Sequence, residues 1–521
     1  MNLESGRRRV TTHDSRRTTT APFDEPVLWP VLALLLLYAL FFVEFAVRLS
    51  AFPFDLDQGE TYDAWSGWLL NLGQLPYTDG GQFPYYSHGY PPLWSYLVSI
   101  PMAWLGPGLG AARAVSSLTA LATAVVLGLA AWRHAHRISA GLLAAGFFLS
   151  SPYVFHTTAL ARVNACMVLV SVVALWLLEV PTRRRVPLGA LALMAALFTK
   201  PTAIDAVAAG LGSLLMVRPR QAILALLVLL LSGGTLLLGL QLASHGTYVQ
   251  NVLSGNTSPF ELEQLRDYGL NFGALHLLLL MLAVAEVVVR VRHRDWSPWA
   301  LYLPAALLLA LVTVGKTGAG ESYFLATIAA ASVLAAQRIG ALVGPRGGPR
   351  GAEAPFGVVG GWSVSRRRFE ALLALVLLGQ LLVLAHGPLS DVVAWLPDRG
   401  PQAAILGHAP TADDLAAGRE LAELVRRAPG LALSEDASFV VVSGKPLVGA
   451  TPPSLRNLYH AGLWNPTPMV DDLRAHRYAI VVLNAELYPE PILAAIGQFY
   501  FQERAVHMNG STYRVFLPGS G

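Results

Sequence analysis

From Val27 to His386 the chain is a succession of apolar stretches separated by short, Arg-bearing loops. This feature limits the fold more than any other. A helix of roughly 20 apolar residues crosses a bilayer, because it satisfies its own backbone polar groups there. The chain is 54% hydrophobic and 13% charged. The expected class is therefore an all-α polytopic membrane protein, not the several soluble domains that 521 residues would otherwise suggest. Residues 1–26 are polar and Arg-rich, and no small-residue cleavage site follows the apolar Val27–Leu49. That combination predicts an uncleaved anchor with a cytoplasmic N-terminus.

The first predicted span is Val27–Leu49, leading outward into a loop over 50–112. Inside that loop, Pro91–Leu105 is apolar but only 15 residues long and begins Pro-Pro. It is too short to cross and is read as interfacial or re-entrant. Further spans are expected at Arg113–Trp132, Ile138–Phe155 and Ala165–Val180. The run Val186–Val217 reads as two short spans broken at Lys200-Pro201. Ala222–Ala243, Phe272–Val289, Trp299–Val314, Tyr323–Ile339 and Phe369–His386 complete a set of eleven. Charge tests the parity. With this register the inner loops hold the Arg clusters and no Lys. The outer segments hold Arg48, Arg113, Arg162, Lys200, Arg266 and Lys316. Counting Pro91–Leu105 as a span would invert that bias, so the cytoplasmic side is assigned to the Arg loops. The same pattern accounts for the net charge of +4 and argues against a nucleic-acid partner. A single cysteine, Cys166, lies in an apolar run and excludes an intrachain disulfide or a cysteine metal cluster.

Residues 387–521 have a different texture. "TADDLAAGRELAELVRRAPG" reads as an amphipathic helix with a Thr cap and a Gly stop. "FVVVSG" and "YAIVVLNA" read as strands. "AVHMNGSTYRVFL" reads as a hairpin turning at Asn509-Gly510. The tail is thus expected to be a small α/β domain on the extracytoplasmic side, behind a transmembrane domain over 27–386. Its acids in "SEDAS" and "AELYPEP" are read as turn and surface residues.

The chemistry gathers at the outer face. "FDLDQGETYD" places Asp55, Asp57, Glu60 and Asp63 directly after the first span. If the following "GETYDAWSGWLLNLG" is helical, Tyr62, Trp65, Leu69 and Leu72 share one face, as in a helix lying at the interface. Asp57 and Glu60 share another. "LARVNA" puts Arg162 and Asn164 at an outer helix end. "LFTKPTAIDA" puts Lys200 at the break, and "VGKTGAGESYF" puts Lys316 and Glu321 at another outer end. The chain has 37 basic residues and only three are lysines, so two lysines at these boundaries are a selective use of the residue. Each alone is most simply a side chain snorkelling to the interface. Together, basic groups from separate helices beside outward acids suit an anionic lipid headgroup with a reaction next to it.

These blocks resemble the polyprenyl-phosphate-sugar-dependent glycosyltransferases of the GT-C fold. That group contains the family 39-like protein O-mannosyltransferases and the lipid A aminoarabinose transferases of bacteria. The resemblance rests mainly on "DLDQGETYDAWSGWLLNLGQLPYTD", the Pro-Pro-Leu helix and "ARAVSSLTA". "SPYVFHTTALARVNA", "LFTKPTA" and "GKTGAGESYFL" add to it. The chain departs from many relatives in having Gln58 after Asp57 and Asn164 two residues after Arg162. The resemblance implies an interfacial GT-C enzyme that takes a sugar from a polyprenyl phosphate and delivers it to a glycan, lipid or protein hydroxyl. It implies Asp57 as the base, with Glu60 or Asp55 assisting. Arg162, Lys200 and Lys316 are expected to hold the donor phosphate, with Arg113, His88 and Tyr323 as secondary candidates. A single displacement inverts the anomeric carbon. No cofactor is required, although Asp55-x-Asp57 has the spacing to take a divalent cation through oxygens. A lipid-linked-sugar flippase or a non-catalytic lipid-binding assembly protein would also carry outer charges. The first should show repeated halves and midplane breaks. The second should tolerate loss of Asp57.

Overall fold

The computed structural model describes residues 26–254, 258–343, 358–359, 362–363, 365–384 and 409–519. The cytoplasmic tail expected before residue 26, most of the Gly/Arg-rich loop after 343 and the junction 385–408 lie outside the described residues.

Helices dominate up to Val383. Among the described residues, four are long and apolar enough to cross a membrane: Pro26–Ala51, Leu109–Ala135, Pro219–Ala243 and Glu321–Val343. Counting each of two bent pairs as one span raises the number to six. Five shorter apolar helices, among them Leu93–Leu105 and Asn164–Leu178, fall below that length. The outer faces are apolar, as a lipid-facing surface requires: Leu36, Leu40 and Val47 on the first helix, Leu230, Leu231 and Leu238 on Pro219–Ala243. Apolar packing is tightest at Leu325–Val343, which is buried along nearly its whole length.

Two spans read as continuous are broken. Ile138–Leu149 bends by 63° into Pro152–Thr158. Pro152 has no N–H and forces the preceding backbone out of the helical region. The stretch expected at Phe272–Val289 is divided between Leu262–Leu275 and Leu277–Arg292, bent by 82°. No proline marks this break. Instead Gln380 Nε2 donates to Leu275 O (2.8 Å), and His276 meets Ser151 Oγ through Nε2 (2.8 Å). The two breaks therefore meet through Ser151 and His276, while Gln380 takes up the freed Leu275 carbonyl. The break at Lys200-Pro201 is present as read, between Arg185–Leu197 and Ile204–Val217.

The tail carries a four-stranded sheet: β1 (Leu431–Ser434), β2 (Tyr478–Leu483), β3 (Tyr500–Met508) and β4 (Ser511–Pro518). The order is β1-β2-β4-β3, with β1 parallel to β2 and the other pairs antiparallel. The β3–β4 hairpin turns at Asn509 (φ 49°) and Gly510 (φ 71°), as its sequence predicts. Helix Ala412–Arg427 opens with a reciprocal cap between Thr411 and Asp414. "FVVVSG" is corrected: Ser438–Val442 is a short helix, not a strand. Asp436 accepts from the Ser438 N–H (2.9 Å) and starts a turn just before the β-branched run. One hydrophobic cluster runs from the membrane helices through Phe52, Phe54 and Leu56 to Leu421, Phe439 and Val515. The tail domain thus packs on the loop that follows the first helix.

Candidate active site

The acid loop is fixed from the membrane side by a buried pair. Arg113, in the second turn of Leu109–Ala135, donates to Glu60 through Nε (2.9 Å) and Nη2 (2.7 Å). Its other N–H groups reach Leu49 O (2.8 Å), Phe52 O (2.6 Å) and Phe54 O (2.8 Å). Every guanidinium donor is occupied, so Arg113 shapes the loop and has none left for a ligand. Glu60 in turn accepts from Leu56 N (2.9 Å), Asp57 N (3.3 Å) and Ala161 N (2.7 Å). Burial alone would raise its carboxyl, but Arg113 and the backbone N–H groups take it below the ordinary value. Glu60 is therefore a charged hub that ties the acid loop to the Ala161–Arg162 segment.

That segment brings Arg162 over the loop. Arg162 Nη2 pairs with Asp57 at 2.6 Å and Nη1 with Asp63 at 2.7 Å. It also donates to Gln58 O. Gly59 allows the approach. Its φ is +95°, and a Cβ there would lie 3.0 Å from Thr451 Cγ2 and 3.3 Å from Arg162 Nη1. Of the acids, Asp57 is the most open, with its side chain 37% exposed against 7% for Asp63. Burial raises the Asp57 carboxyl above its ordinary value, and Arg162 pulls the other way. Asp55 points elsewhere. Its Oδ1 accepts from Thr61 N (2.9 Å) and Thr61 Oγ1 (2.6 Å), and its other oxygen faces Asp436 of the tail. Asp55 and Asp57 thus turn to different partners and do not form a common oxygen cage. Among the described residues no group of three or more His, Cys, Asp or Glu is placed to hold a metal ion.

Lys200 lies beside this cluster. Its ammonium donates to Asn164 Oδ1 (2.7 Å) and stands 4.2 Å from the Tyr323 ring centre and 5.7 Å from that of Tyr90. Its charge acts on Asp63, and the charges of Asp63, Arg162 and Asp57 all act on Tyr90. Arg162, Lys200, Tyr323 and Asp57 therefore form one site, joined by Asp63, Tyr90 and Asn164. Asp63 and Tyr90 were not singled out from the sequence as site residues, although "GETYD" and "HGYPP" contain them.

Among the described residues, the remaining candidates make no hydrogen bond or ion pair to it, and His88 borders it only through the Tyr90 ring, at 5.8 Å between ring centres. His88 is 2% exposed and touches Ser95 Oγ at 3.5 Å. Burial pushes its imidazole down to about 3, so it is neutral and offers a phosphate no charge. Lys316 sits in a loop that Gln264 Nε2 holds through Val314 O (2.6 Å) and Lys316 O (2.7 Å). Among the described residues its ammonium has no hydrogen-bond or ion-pair partner, and no such contact joins it to the Arg162 cluster. The reading of "SEDAS" as surface is corrected. Ser434, Glu435, Asp436 and Ser438 are all buried against the acid loop. Their burial had no local signal, since it comes from a partner almost 400 residues away.

No protein-family model and no curated protein sequence matches the chain. Solved structures do. ArnT from Cupriavidus metallidurans, bound to undecaprenyl phosphate, superposes with a TM-score of 0.59 at 14% identity, covering 94% of this chain and 98% of its own. The oligosaccharyltransferase AglB from Archaeoglobus fulgidus, in complex with an inhibitory peptide and a dolichol-phosphate, gives 0.50 at 14% identity, covering 91% and 73%. The same archaeal enzyme tethered to an acceptor peptide gives 0.52 at 13% identity, covering 91% and 72%. The apolar helices, the acid loop and the small tail sheet make this chain a multi-pass membrane protein with the GT-C fold of these glycosyltransferases.

Proposed function

We propose that this protein transfers a sugar from a polyprenyl-phosphate donor to an acceptor hydroxyl at the extracytoplasmic face of the membrane. One juxtaposition carries the reading. A partly exposed carboxylate, Asp57, and two cations, Arg162 and Lys200, meet at the ends of apolar helices. The shared fold supports the lipid class, because the ArnT and AglB structures hold undecaprenyl phosphate and dolichol-phosphate.

In this scheme Asp57 takes the proton from the acceptor hydroxyl as its oxygen attacks the anomeric carbon. The bond from that carbon to the phosphate oxygen breaks, and polyprenyl phosphate leaves with the electron pair. One displacement inverts the anomeric centre. Lys200 meets the growing charge on the phosphate, with two ammonium N–H groups beyond the one on Asn164. Arg162 holds Asp57 and Asp63 in place and lends one N–H of Nη1. Tyr323 lies under the ammonium and keeps it at the site. No metal is assigned a step. The direct test is turnover by the full chain in lipid vesicles supplied with a polyprenyl-phosphate sugar and candidate acceptors. Release of polyprenyl phosphate that depends on acceptor supports the scheme. Binding of the lipid without turnover would turn the assignment to a lipid-binding protein.

A further inference from the structure

The tail domain does more than cover the outer loop. Four interactions join its segment 434–438 to the acid loop, and they bracket Asp57. Asp55 N donates to Ser438 Oγ at 3.1 Å. Gln58 Nε2 donates to Glu435 O at 2.8 Å, and Tyr62 OH to Ser434 O at 2.8 Å. The fourth is a carboxyl pair. Asp55 Oδ2 is buried without a hydrogen-bond partner, and the Asp436 carboxyl is near enough for its charge to raise that of Asp55. Two buried carboxyls this near each other resist being charged together.

The segment itself is rigidly held. The Ser438 hydroxyl accepts from Asp55 N and donates to Asp436 Oδ1, so its orientation is determined from both sides. The Glu435 carboxylate accepts from Asn484 N (2.6 Å), Ala485 N (2.8 Å), Glu486 N (3.2 Å) and Leu487 N. These backbone groups pin "SEDAS" to the loop after β2. Tyr488 OH also donates to Ser434 O (3.1 Å). On the opposite side of the acid loop stands the Arg113–Glu60 hub.

We propose that the Glu435–Ser438 segment of the tail domain is a positioning element for Asp57, with Asp436 and Ser438 as its positioning residues. The Arg113–Glu60 hub fixes the loop from below, and this segment fixes the residues on either side of Asp57 from above. The inference rests on the reading of Asp57 as the base. Asp436 and Ser438 touch Asp55, not the proposed substrate site.

The test uses the full chain in vesicles with two readouts: turnover with a polyprenyl-phosphate sugar, and amide hydrogen exchange over residues 54–62. Asp436→Ala and Ser438→Ala are each expected to cut kcat by about tenfold to a hundredfold, as misplacement of a reacting group by about 1 Å does. The donor KM should stay near wild type, because Lys200 is untouched. Exchange over 54–62 should rise while the β2–β4 core stays protected. Asp436→Asn is the conservative partner. Its amide can donate to the Asp55 carboxylate, and it should restore both readouts. Wild-type turnover and protection in Asp436→Ala would overturn the proposal. So would a kcat loss in Asp436→Asn equal to that in Asp436→Ala. If the wild-type protein itself is inactive, the proposed function falls, and the exchange arm alone decides whether the segment holds the loop.

Discussion

Asp55, Asp57 and Glu60 are alike in water, and the fold gives each a different environment. Glu60 is wholly enclosed by Arg113 and backbone N–H groups. Asp55 is turned into the tail. Asp57 alone keeps an open side while held by Arg162. Asp57→Asn should therefore abolish transfer with little change in melting temperature, since the amide keeps the shape but takes no proton. Asp55→Asn should retain most activity, because an amide there can donate to Asp436. Near-normal turnover in Asp57→Asn with Asp55→Asn dead would move the base to Asp55. Glu60→Gln should behave differently. It leaves a buried guanidinium without its counter-charge, a loss of about 3–5 kcal/mol, and should appear as poor folding in a thermal melt. Lys200→Met keeps the apolar stem and deletes the charge. Each charge-assisted contact to phosphate contributes on the order of 1.5–3 kcal/mol, so donor-dependent turnover should fall roughly tenfold to a hundredfold. Wild-type rates in Lys200→Met would place the phosphate elsewhere. At this scale the sequence located the acids and both cations. It did not separate their roles, because the roles depend on which carboxylate meets which guanidinium.

Local signals read well where chemistry and neighbours agree. Asn509-Gly510 is such a case, as are the Thr411 cap and the Lys200-Pro201 break. They failed at the His276 break because its cause is distant, in Gln380 and Ser151. At "FVVVSG" the cause is local, the turn that Asp436 starts, but the β-branched run outweighed it in the reading. One glycine marks a close approach between the tail and the acid loop. At Gly418 on helix Ala412–Arg427, a Cβ would lie 2.3 Å from the Phe54 ring. Phe54 is fully buried there and also packs on Phe439 at 5.4 Å between ring centres. Gly418→Ala must push helix and loop apart. Overpacking of this kind costs about 1–3 kcal/mol. The expected result is a lower melting temperature together with reduced turnover. An unchanged melt would mean that the tail helix does not seat on Phe54 as described.

At the scale of the whole molecule, two domains share one core and one polar seam, so topology and stability can each be tested. The Arg bias of the loops predicts a tail domain outside the cell. Reporters fused after His386 should be active only in an exported form; an active cytoplasmic reporter would reverse the assignment and carry the acid loop inward with it. The seam makes a pH prediction with a definite sign. Burial raises Asp55 well above the ordinary carboxylate range, and the Asp436 charge adds to this. Burial likewise raises Asp436, to about 6. The groups facing the pair are Glu60 with its Arg113, Thr61, Ser438, Tyr62, Tyr513 and, next in the chain, Glu435. A raised carboxyl means that the folded state keeps a proton the unfolded chain has released. Its stabilisation is present below about pH 4, where both states are protonated, and is lost as pH rises through the folded value. Between about pH 4 and 7 the seam should therefore weaken. Paired carboxylates such as Glu60 and Asp414 act in the opposite direction at lower pH, so the comparison must be internal. Melting temperature should fall from pH 5 to 7.5 in the wild type more than in Asp436→Asn, whose amide needs no shared proton. Equal slopes in the two proteins would mean that Asp55 and Asp436 do not hold a proton between them.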